Sequence, residues 1–485
     1  MSYNKPTSLL ELAIQSLLRD ENLTISSLRS LPAELFPRLF LEAYAHRCWK
    51  TLKALVQSWP FDRLPLGALV QDLFPENETL KAVLDGIDVL LQQKVLPSRC
   101  KLRVLDLQFT GQKFWSAWTG VHFPVFSQRR HLEAVGPSRN EKARCCLEVC
   151  VDLFLSGECG NKMFVYLLNW IKKRKGVHLC CRTVTIYSLS RKNVQLLNNI
   201  SLCDVQELEV NCTWTISNLQ TFGQLLGRMN NLRRLCLDIN ILDGIPSKQL
   251  ENQDHPITEF TSEFLQLLHL QELYLESASF LQGYLDQLLR NLHNQLEVFS
   301  VTNCTLTEED VNHLFQSPHI YHLKDLCLRG VPLTSVSELL RALLEINAAT
   351  LQHLDLGLCG LQDPQLEALL PALSSCSQLS SLSLHGNRLS MDTLEKLLCC
   401  TSGLQHLSLQ LFPAPLETFS RHGVPQSGTF DLLCTQISKI LQDLGYSRSI
   451  MVYFLPNLSP DSIPWGPNLG ITVPPSVVIL YRKES

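Results

Sequence analysis

LQHLDLGLCGL at residues 351–361 and LSSLSLHGNRL at residues 379–389 decide the fold of this 485-residue chain. Both stretches follow the pattern L-x-x-L-x-L-x-x-N/C-x-L, which is typical of a leucine-rich repeat. Their starts lie 28 residues apart, a spacing that leaves room for a helix in every repeat. The pattern therefore predicts an α/β protein built from strand-plus-helix units.

Copies of the same pattern occur on both sides of these two stretches. LEVFSVTNCTL begins at Leu296 and LKDLCLRGVPL at Leu323, and intervening segments such as SVSELLRALLEI carry apolar residues at helical spacing. Looser copies are LRVLDL from Leu102, CRTVTI from Cys181, VQELEV from Val205, LRRLCL from Leu232, LQELYL from Leu270 and LQHLSL from Leu404. Since one unit cannot bury its own apolar face, we expect a leucine-rich-repeat solenoid, a horseshoe whose parallel strands line the concave face.

The alternating pattern also predicts which side chains line the concave face. The leucines of each strand point into the core, so the residues between and just beyond them face outward. These positions are Glu207, Glu209, Arg234, Asp238, Glu272, Tyr274, Glu276, Asp325, Arg329, His353, Asp355, His385, His406 and Gln410. Such a mixed, mostly acidic surface suits a target protein with basic segments, whereas any single position is explained as well by simple solvation.

The composition and the terminal segments narrow the possible functions. Lysines and arginines number 42 against 46 aspartates and glutamates, and the resulting formal charge of -4 does not favour nucleic-acid binding. Neither a signal peptide nor a stretch of about 18 apolar residues is recognisable, so the cysteines are expected to be reduced and the chain to lie in cytoplasm or nucleus. The basic run Lys172–Lys175 is either a nuclear-import patch or a set of cations at a helix end.

The sequence predicts neither catalysis nor a bound metal or cofactor. The 18 cysteines fall singly or as adjacent pairs such as Cys145 and Cys146, without the C-x-x-C spacing of zinc ligands. We therefore interpret them as small buried hydrophobic residues. The sequence also contains no glycine-rich phosphate loop and no G-x-S-x-G motif, so an enzyme is not expected.

Residues 1–95 show no repeat and are predicted to be largely helical. Leu9, Ala13 and Leu17 recur at four-residue steps and form one stripe of a helix. Together with Ser8, the stripe resembles the BC box, [S/T/P]-L-x-x-x-[C/S/A]-x-x-x-Φ, by which substrate receptors dock on the elongin B/elongin C adaptor. The alternative is an apolar cap helix that packs on the first repeats.

A second motif follows in LPAELFPRL. Leu31, Pro32, Leu35 and Leu39 resemble the cullin-2 box, Φ-P-x-x-Φ-x-x-x-Φ, and they lack the second proline of the cullin-5 box. Pro32 suits the first turn of a helix, with Ser30 available as its cap. The order of the two motifs predicts an adaptor site followed by a cullin site.

The chain as a whole resembles the PRAME family, leucine-rich-repeat proteins named for a melanoma antigen. The segments that carry the resemblance include LAIQSLL, LPAELFPRLF, TLKALVQSWPFDRLPLG, KAVLDGIDVLLQQKVLPSRCKLRVLDL, VTNCTLTEEDVNHLFQSPHI and LLPALSSCSQLSSLSLHGNRLS. The resemblance implies a non-catalytic substrate receptor of a cullin-2 ubiquitin ligase, with elongin C, elongin B, cullin-2 and its RING subunit as partners and a target protein on the repeats. It also implies germ-cell or early-embryo expression and residence in nucleus and cytoplasm. The alternative is a repeat scaffold that acts as a transcriptional corepressor or chromatin regulator without the ligase.

The predicted organisation has three parts. Residues 1–95 form the helical region with both motifs, residues 96–420 form the repeats, and residues 421–485 form a C-terminal cap and tail. Residues 108–150 interrupt the first repeat and are rich in glycine, serine and arginine, which predicts a loop insertion.

Overall fold

The computed structural model of the chain describes residues 9–69, 78–93, 97–108, 114–115, 147–157, 162–241, 256–418, 429–444, 451–454 and 478–481. The chain divides into two compact units. Unit 1 comprises residues 1–184 and 192–204, and unit 2 comprises residues 185–191 and 205–485. Within the described ranges, no helix has the length and apolar content needed to cross a membrane.

The described part of unit 1 begins with helices, as the apolar spacing predicts. They are α1 (Leu9–Leu18), α2 (Glu21–Ser27), α3 (Phe36–Ala45), α4 (Trp49–Gln57) and α5 (Glu78–Gln92), with a 3-10 turn at Ala33–Leu35 before α3. The Oδ1 atom of Asp20 accepts hydrogen bonds from the backbone N–H groups of Asn22 and Leu23, each at 3.1 Å. These N–H groups have no partner inside the helix, so the cap fixes the start of α2.

The core of unit 1 is aromatic. The Trp59 indole lies edge-on against Phe40 with ring centroids 5.5 Å apart, and Phe40 stacks on Trp115 at the same separation. Both indole N–H groups donate to backbone carbonyls, Trp59 to Arg63 at 3.0 Å and Trp115 to Pro65 at 2.7 Å. A buried indole whose N–H is satisfied contributes its apolar area without a desolvation penalty.

A parallel sheet of strand order β1-β2-β3-β5 lies in unit 1. Its four strands are β1 (Arg63–Pro65), β2 (Val104–Asp106), β3 (Leu147–Cys150) and β5 (Val177–Cys180). Two further strands, β4 (Leu153–Leu155) and β6 (Thr183–Ile186), follow β3 and β5 in the sequence and do not belong to this sheet. Helices α6 (Lys162–Lys172) and α7 (Arg191–Leu197) and a 3-10 turn at Leu202–Asp204 complete this region. The register places Leu64, Leu105 and Val149 side by side, and all three are fully buried.

The predicted loop insertion at residues 108–150 is wrong at its C-terminal end. Residues 147–150 form β3, which pairs Val149 with Leu105 on one side and with Leu179 on the other. The alternation in LEVC is a strand pattern, but the polar composition of the preceding residues obscured it. Within the same range, Trp115 is a core residue, and residues 109–113 and 116–146 lie outside the described part.

Unit 2 is a stack of parallel strands that pair in sequence order. The strands are β7 (Glu207–Trp214), β8 (Arg234–Ile241), β9 (Glu272–Glu276), β10 (Val298–Thr302), β11 (Asp325–Cys327), β12 (His353–Asp355), β13 (Ser381–Ser383), β14 (Leu409–Pro413), β15 (Met451–Phe454) and β16 (Val478–Tyr481). The helices are α8 (Ile216–Leu226), α9 (Pro256–Ser262), α10 (Leu285–Arg290), α11 (Glu308–Gln316), α12 (Ser337–Asn347), α13 (Asp363–Ser375), α14 (Met391–Thr401) and α15 (Thr429–Asp443), with 3-10 turns at Glu263–Gln266, Ser279–Leu281, Pro318–Ile320 and Leu416–Thr418. This parallel, in-order pairing confirms the predicted α/β repeat solenoid.

The motif residues of unit 2 form its core. Asn387 occupies the asparagine position of the repeat and is almost fully buried. Its Oδ1 accepts from the Leu361 N–H at 2.9 Å, and its Nδ2 donates to the carbonyls of Leu356 and Leu384 at 2.8 Å. Since these backbone groups are buried, each would cost ~1–3 kcal/mol without a partner. The motif leucines Leu351, Leu354, Leu356, Leu379, Leu382 and Leu384 are fully buried beside it.

The predicted start of the last repeat at Leu404 is wrong by three residues. Strand β14 pairs Gln410 with Leu382, so the repeat opens at Leu407 instead. Gln410 consequently sits in a core leucine position and is fully buried, whereas His406 precedes the strand and is exposed. Neither residue lines the outward face of a strand as predicted. Because Gln410 occupies a leucine position, the segment with Leu404, Leu407 and Leu409 matched the repeat motif better than the true start did.

Candidate protein-interaction surfaces

The first candidate surface lies on α1. The helix buries Ile14 and Leu18, whereas Ala13 is exposed and Leu12 keeps 51% of its accessible area. Leu17 is half-buried at the boundary between the two faces. Ala13 and Leu17 of the predicted stripe thus lie outside the buried face of the helix. Single exposed apolar residues are common on soluble proteins, so the interest of this position rests on the motif that contains Ala13.

Helix α2 also exposes apolar residues. Leu23 and Ile25 keep 54% and 36% of their accessible area, and α2 contacts α1. Leu12, Leu23 and Ile25 were not singled out in the sequence, because apolar residues of an amphipathic helix ordinarily face the core.

Two residues of the BC-box-like motif can be placed only in part. Ser8 lies outside the described residues, and so do the surroundings of the Leu9 side chain, although Leu9 is the first residue of α1.

The cullin-2-box-like motif spans a turn and the start of α3. Pro32 is exposed and directly precedes the 3-10 turn, and Leu31 and Leu35 are half-buried. Leu39 is only 1% exposed and belongs to the core. The prediction that Leu39 contacts a cullin is therefore corrected, because Leu39 lies on the buried side of α3 with Phe36, Phe40 and Ala43.

A partly buried arginine fixes the turn that carries Pro32. The Nη1 atom of Arg99 donates to the carbonyls of Leu28 and Leu31, at 2.8 and 2.7 Å. Ser30 does not cap a helix as predicted, since its hydroxyl donates to the Ser27 carbonyl at 2.9 Å. The turn is thus held by a residue that follows α5 in the sequence, 68 positions downstream of Leu31.

The basic run at residues 172–175 lies where α6 ends. Arg174 forms an ion pair with Asp88, and its guanidinium lies 4.3 Å from the centre of the Trp170 ring. This arginine therefore packs within unit 1, and the run lies at a helix end as the sequence indicated.

The outward face of β7–β9 carries most of the predicted acidic residues. The Nη1 atom of Arg234 lies 3.6 Å from Glu272 Oε2, and its guanidinium carbon lies 4.8 Å from the centre of the Tyr274 ring. Burial and the neighbouring Glu272 raise the pKa of the Tyr274 hydroxyl, which donates to Glu272 at 3.1 Å. The further carboxylates at the predicted positions are Glu207, Glu209, Asp238 and Glu276, all half-buried or exposed. We call these four and Glu272 the acidic strand surface.

Farther along the sheet, three of the residues predicted to line the concave face are buried. Arg329 donates from Nε and Nη2 to Asp355 Oδ2 at 3.0 and 2.8 Å, and both side chains are buried. The His385 ring lies against Gly357, where an added Cβ would come within 2.2 Å of it, and its Nδ1 is 2.7 Å from Ser383 Oγ. Arg329, Asp355 and His385 pack on their neighbours and do not present a surface as predicted.

The electrostatics of this closed cluster favour a neutral histidine. Burial lowers the pKa of His385, and the Arg329 cation acts in the same direction against the opposing effect of Asp355. The Arg329–Asp355 pair is mutually dependent, because removal of one partner would leave the other charge buried and uncompensated. Of the remaining predicted positions, Asp325 and His353 are half-buried, with Oδ1 and Nε2 3.9 Å apart.

Two family models together match most of the chain. A model described as the PRAME C-terminal domain matches residues 147–460, and one described as the PRAME N-terminal domain matches residues 6–115. The chain belongs to the PRAME family. Human PRAME family member 12 is 44% identical over 463 residues, which cover 94% of each chain. Human PRAME family member 7 is 44% identical over 464 residues, covering 94% of this PRAME-family chain and 96% of the relative.

Solved structures are only distantly similar to this PRAME-family chain. An internalin from Listeria monocytogenes str. 4b F2365 gives a TM-score of 0.26 at 18% identity, covering 54% of this chain and 79% of the internalin. A leucine-rich-repeat protein from Leptospira interrogans gives 0.24 at 13% identity, covering 74% and 93%. The fold assignment rests on the strand register and the repeat motif.

Proposed function

We propose that the chain is a non-catalytic substrate receptor of a cullin-2 ubiquitin ligase. In this proposal α1 docks on the elongin C subunit of the elongin B/elongin C adaptor, and the repeats bind a target protein for ubiquitination and proteasomal degradation. The observation that carries the proposal is the two-sided helix α1. Ile14 and Leu18 anchor it in unit 1, while Ala13 in the middle of the BC-box-like stripe and the adjacent Leu12 remain exposed.

An anchored helix is well suited to docking. Because α1 is already folded and packed against α2 and α3, binding does not incur the entropy cost of ordering a free segment. The small side chain of Ala13 permits close approach of a partner helix, with the larger Leu12 and Leu17 on either side.

Pro32 supports a separate cullin contact. It is exposed and sits on a turn that Arg99 holds in place, so it can meet a partner without rearrangement. Leu31 and Leu35 are partly accessible beside it, and Leu39 supports α3 from within the core. The contact proposed for cullin-2 therefore comprises Leu31, Pro32 and Leu35.

The acidic strand surface is the part of the repeats that we propose for target binding. Its carboxylates accompany a single arginine among the predicted positions of β7–β9, so a target segment rich in lysine or arginine would be complementary. The ligase mechanism needs no catalytic residue in this chain, since holding a target lysine near a charged ubiquitin carrier raises its effective concentration. We propose cytoplasm and nucleus as the location of this activity, by analogy with the family.

The decisive experiment compares two alanine-to-aspartate variants of the full chain. Ala13→Asp places a charge on the exposed face of α1, and Ala342→Asp makes the same change at an exposed position of α12. Each purified protein is mixed with the elongin B/elongin C complex and run on a size-exclusion column with light scattering. We expect wild type and Ala342→Asp to form a complex, and Ala13→Asp to lose binding at least ~10-fold, the equivalent of 1.4 kcal/mol.

A third variant separates the adaptor contact from the cullin contact. Pro32→Glu should retain the adaptor and lose cullin-2 when both are supplied. Binding of the adaptor by wild type and Ala13→Asp alike would refute the docking role of α1. If wild type bound neither partner, the repeat scaffold that acts in transcriptional repression or chromatin regulation would become the better account, with α1 as a structural cap.

A further inference from the structure

Two cysteines far apart in the sequence meet on the sheet of unit 1. Strands β3 and β5 are parallel neighbours, and their register places Cys150 directly beside Cys180. Glu148 lies two residues before Cys150 and therefore on the same face of β3. One ligand atom from each of the three side chains lies within 4.8 Å of the other two. Local spacing predicted no metal ligands, because this pairing arises only when the chain folds.

We propose that Glu148, Cys150 and Cys180 bind one Zn²⁺ ion, with water at the fourth position. Thiolate sulfur and carboxylate oxygen are both preferred ligands of Zn²⁺. Ideal tetrahedral Zn–S and Zn–O bonds separate the ligand atoms by about 3.5–3.8 Å. Cys150 Sγ already lies 3.6 Å from Glu148 Oε1, so small side-chain rotations would complete the site.

Zn²⁺ binds cysteines as thiolates, so the ion would displace the protons of Cys150 and Cys180 to solvent. Its positive charge would then stabilise both thiolates and the Glu148 carboxylate.

The charge balance is favourable with the metal in place. Two thiolates and the Glu148 carboxylate carry three negative charges, and Zn²⁺ and the Arg182 guanidinium together carry three positive charges. Arg182 Nη2 lies 3.6 Å from Glu148 Oε1, so the arginine can hold the carboxylate in position as an outer partner.

The site is sheltered on one side and open on the other. Cys150 is buried, while Cys180 and Glu148 are half-buried and leave a path for an ion. Asp106, which pairs with Cys150 in register on β2, is buried and ion-paired with Arg63 at 2.8 Å. Its charge is therefore compensated by the arginine, and Asp106 is not counted among the ligands.

The proposal is tested by cobalt substitution in the full-length chain. Protein reduced and freed of metal with a chelator is titrated with Co²⁺, whose bonds to thiolate give an ultraviolet charge-transfer band and tetrahedral visible bands. The variants are Cys180→Ser and Glu148→Gln, and Cys203→Ser serves as the control because Cys203 is an exposed cysteine of the same unit. Circular dichroism checks that each variant is folded.

We expect wild type and Cys203→Ser to bind one more Co²⁺ ion than Cys180→Ser, and Zn²⁺ to displace that ion. Glu148→Gln should weaken binding by ~10-fold or more while leaving the fold intact, because its side chain is half-exposed. Zn²⁺ should also raise the Tm of wild type and of Cys203→Ser, raise that of Glu148→Gln less, and leave that of Cys180→Ser unchanged. Equal Co²⁺ affinity of wild type and a folded Glu148→Gln protein would overturn the proposal, as would reduced wild type that binds no Co²⁺. A Cys150–Cys180 disulfide in place of metal binding would overturn it too.

Discussion

At the scale of single residues, one position of the repeat illustrates how different side chains perform the same structural task. Asn387 bridges three backbone groups, and Cys359 occupies the equivalent position one repeat earlier. Cys359 donates its S–H to the Leu328 carbonyl at 3.0 Å, and burial raises its pKa well above the ordinary value. The sequence identified Cys359 as a small buried residue, and the hydrogen bond explains why a thiol occupies that position.

His385 makes the stability of unit 2 depend on pH. Because the folded-state pKa lies below the unfolded value, the neutral histidine supports the fold above about pH 6.5, and this support is lost as the pH falls through the folded-state pKa. We expect the Tm of wild type to fall more between pH 7.5 and pH 5.5 than that of His385→Gln. His406→Gln, a change at an exposed histidine, should follow wild type. An identical pH dependence for wild type and His385→Gln would exclude this role.

At the scale of elements, the turn before α3 depends on a single distant side chain. Arg99 donates to the carbonyls of Leu28 and Leu31, so Arg99→Ala would leave two partly buried acceptors without their charged donor. We expect a loss of ~1–3 kcal/mol in the free energy of unfolding and faster amide hydrogen exchange around residues 28–35. The control is Arg103→Ala, which removes an exposed arginine from the neighbouring segment. Equal exchange rates in the two variants would show that the turn is held by other contacts.

Also at the element scale, the repeat strands were predictable where leucines fill every core position. The strands that follow Leu296, Leu323, Leu351 and Leu379 lie where the motif predicts. The prediction failed at Gln410, because a polar residue in a core position cannot be recognised from hydrophobic periodicity. It failed again for the paired thiols Cys150 and Cys180, since strand register is a property of the folded chain.

The candidate sites show the same division. The BC-box-like and cullin-2-box-like motifs could be found from spacing alone, but the burial of Leu39 and the exposure of Leu12 could not. A four-residue step places residues on one face of a helix without saying whether that face meets the core or solvent. The closure of the Arg329–Asp355 cluster likewise depends on packing between neighbouring strands.

At the scale of the whole molecule, repeats that pair only with their neighbours can be removed as complete units. Deleting residues 296–322 joins Gln295 to Leu323. Strand β11 then takes the place of β10 beside β9, with Asp325 opposite Glu272 where Val298 had been. We expect this protein to fold with a lower Tm, partly because Glu272 and Asp325 then become neighbours. Deleting residues 296–308, about half a repeat, should abolish cooperative unfolding. Circular dichroism melts compare the two, and equal behaviour would contradict stacking by repeat units.

The strands of unit 2 shorten along the stack, from eight residues in β7 and β8 to three in β11, β12 and β13. At ~3.3 Å per residue, the sheet measures about 26 Å along the strands at one end and about 10 Å farther on. A ligand lying across the strands would therefore contact a wide surface on β7 and β8 and a narrow one on β11, β12 and β13. Its contact area would be largest over the glutamate-rich strands and would decrease toward the repeats that contain the buried arginine and histidine.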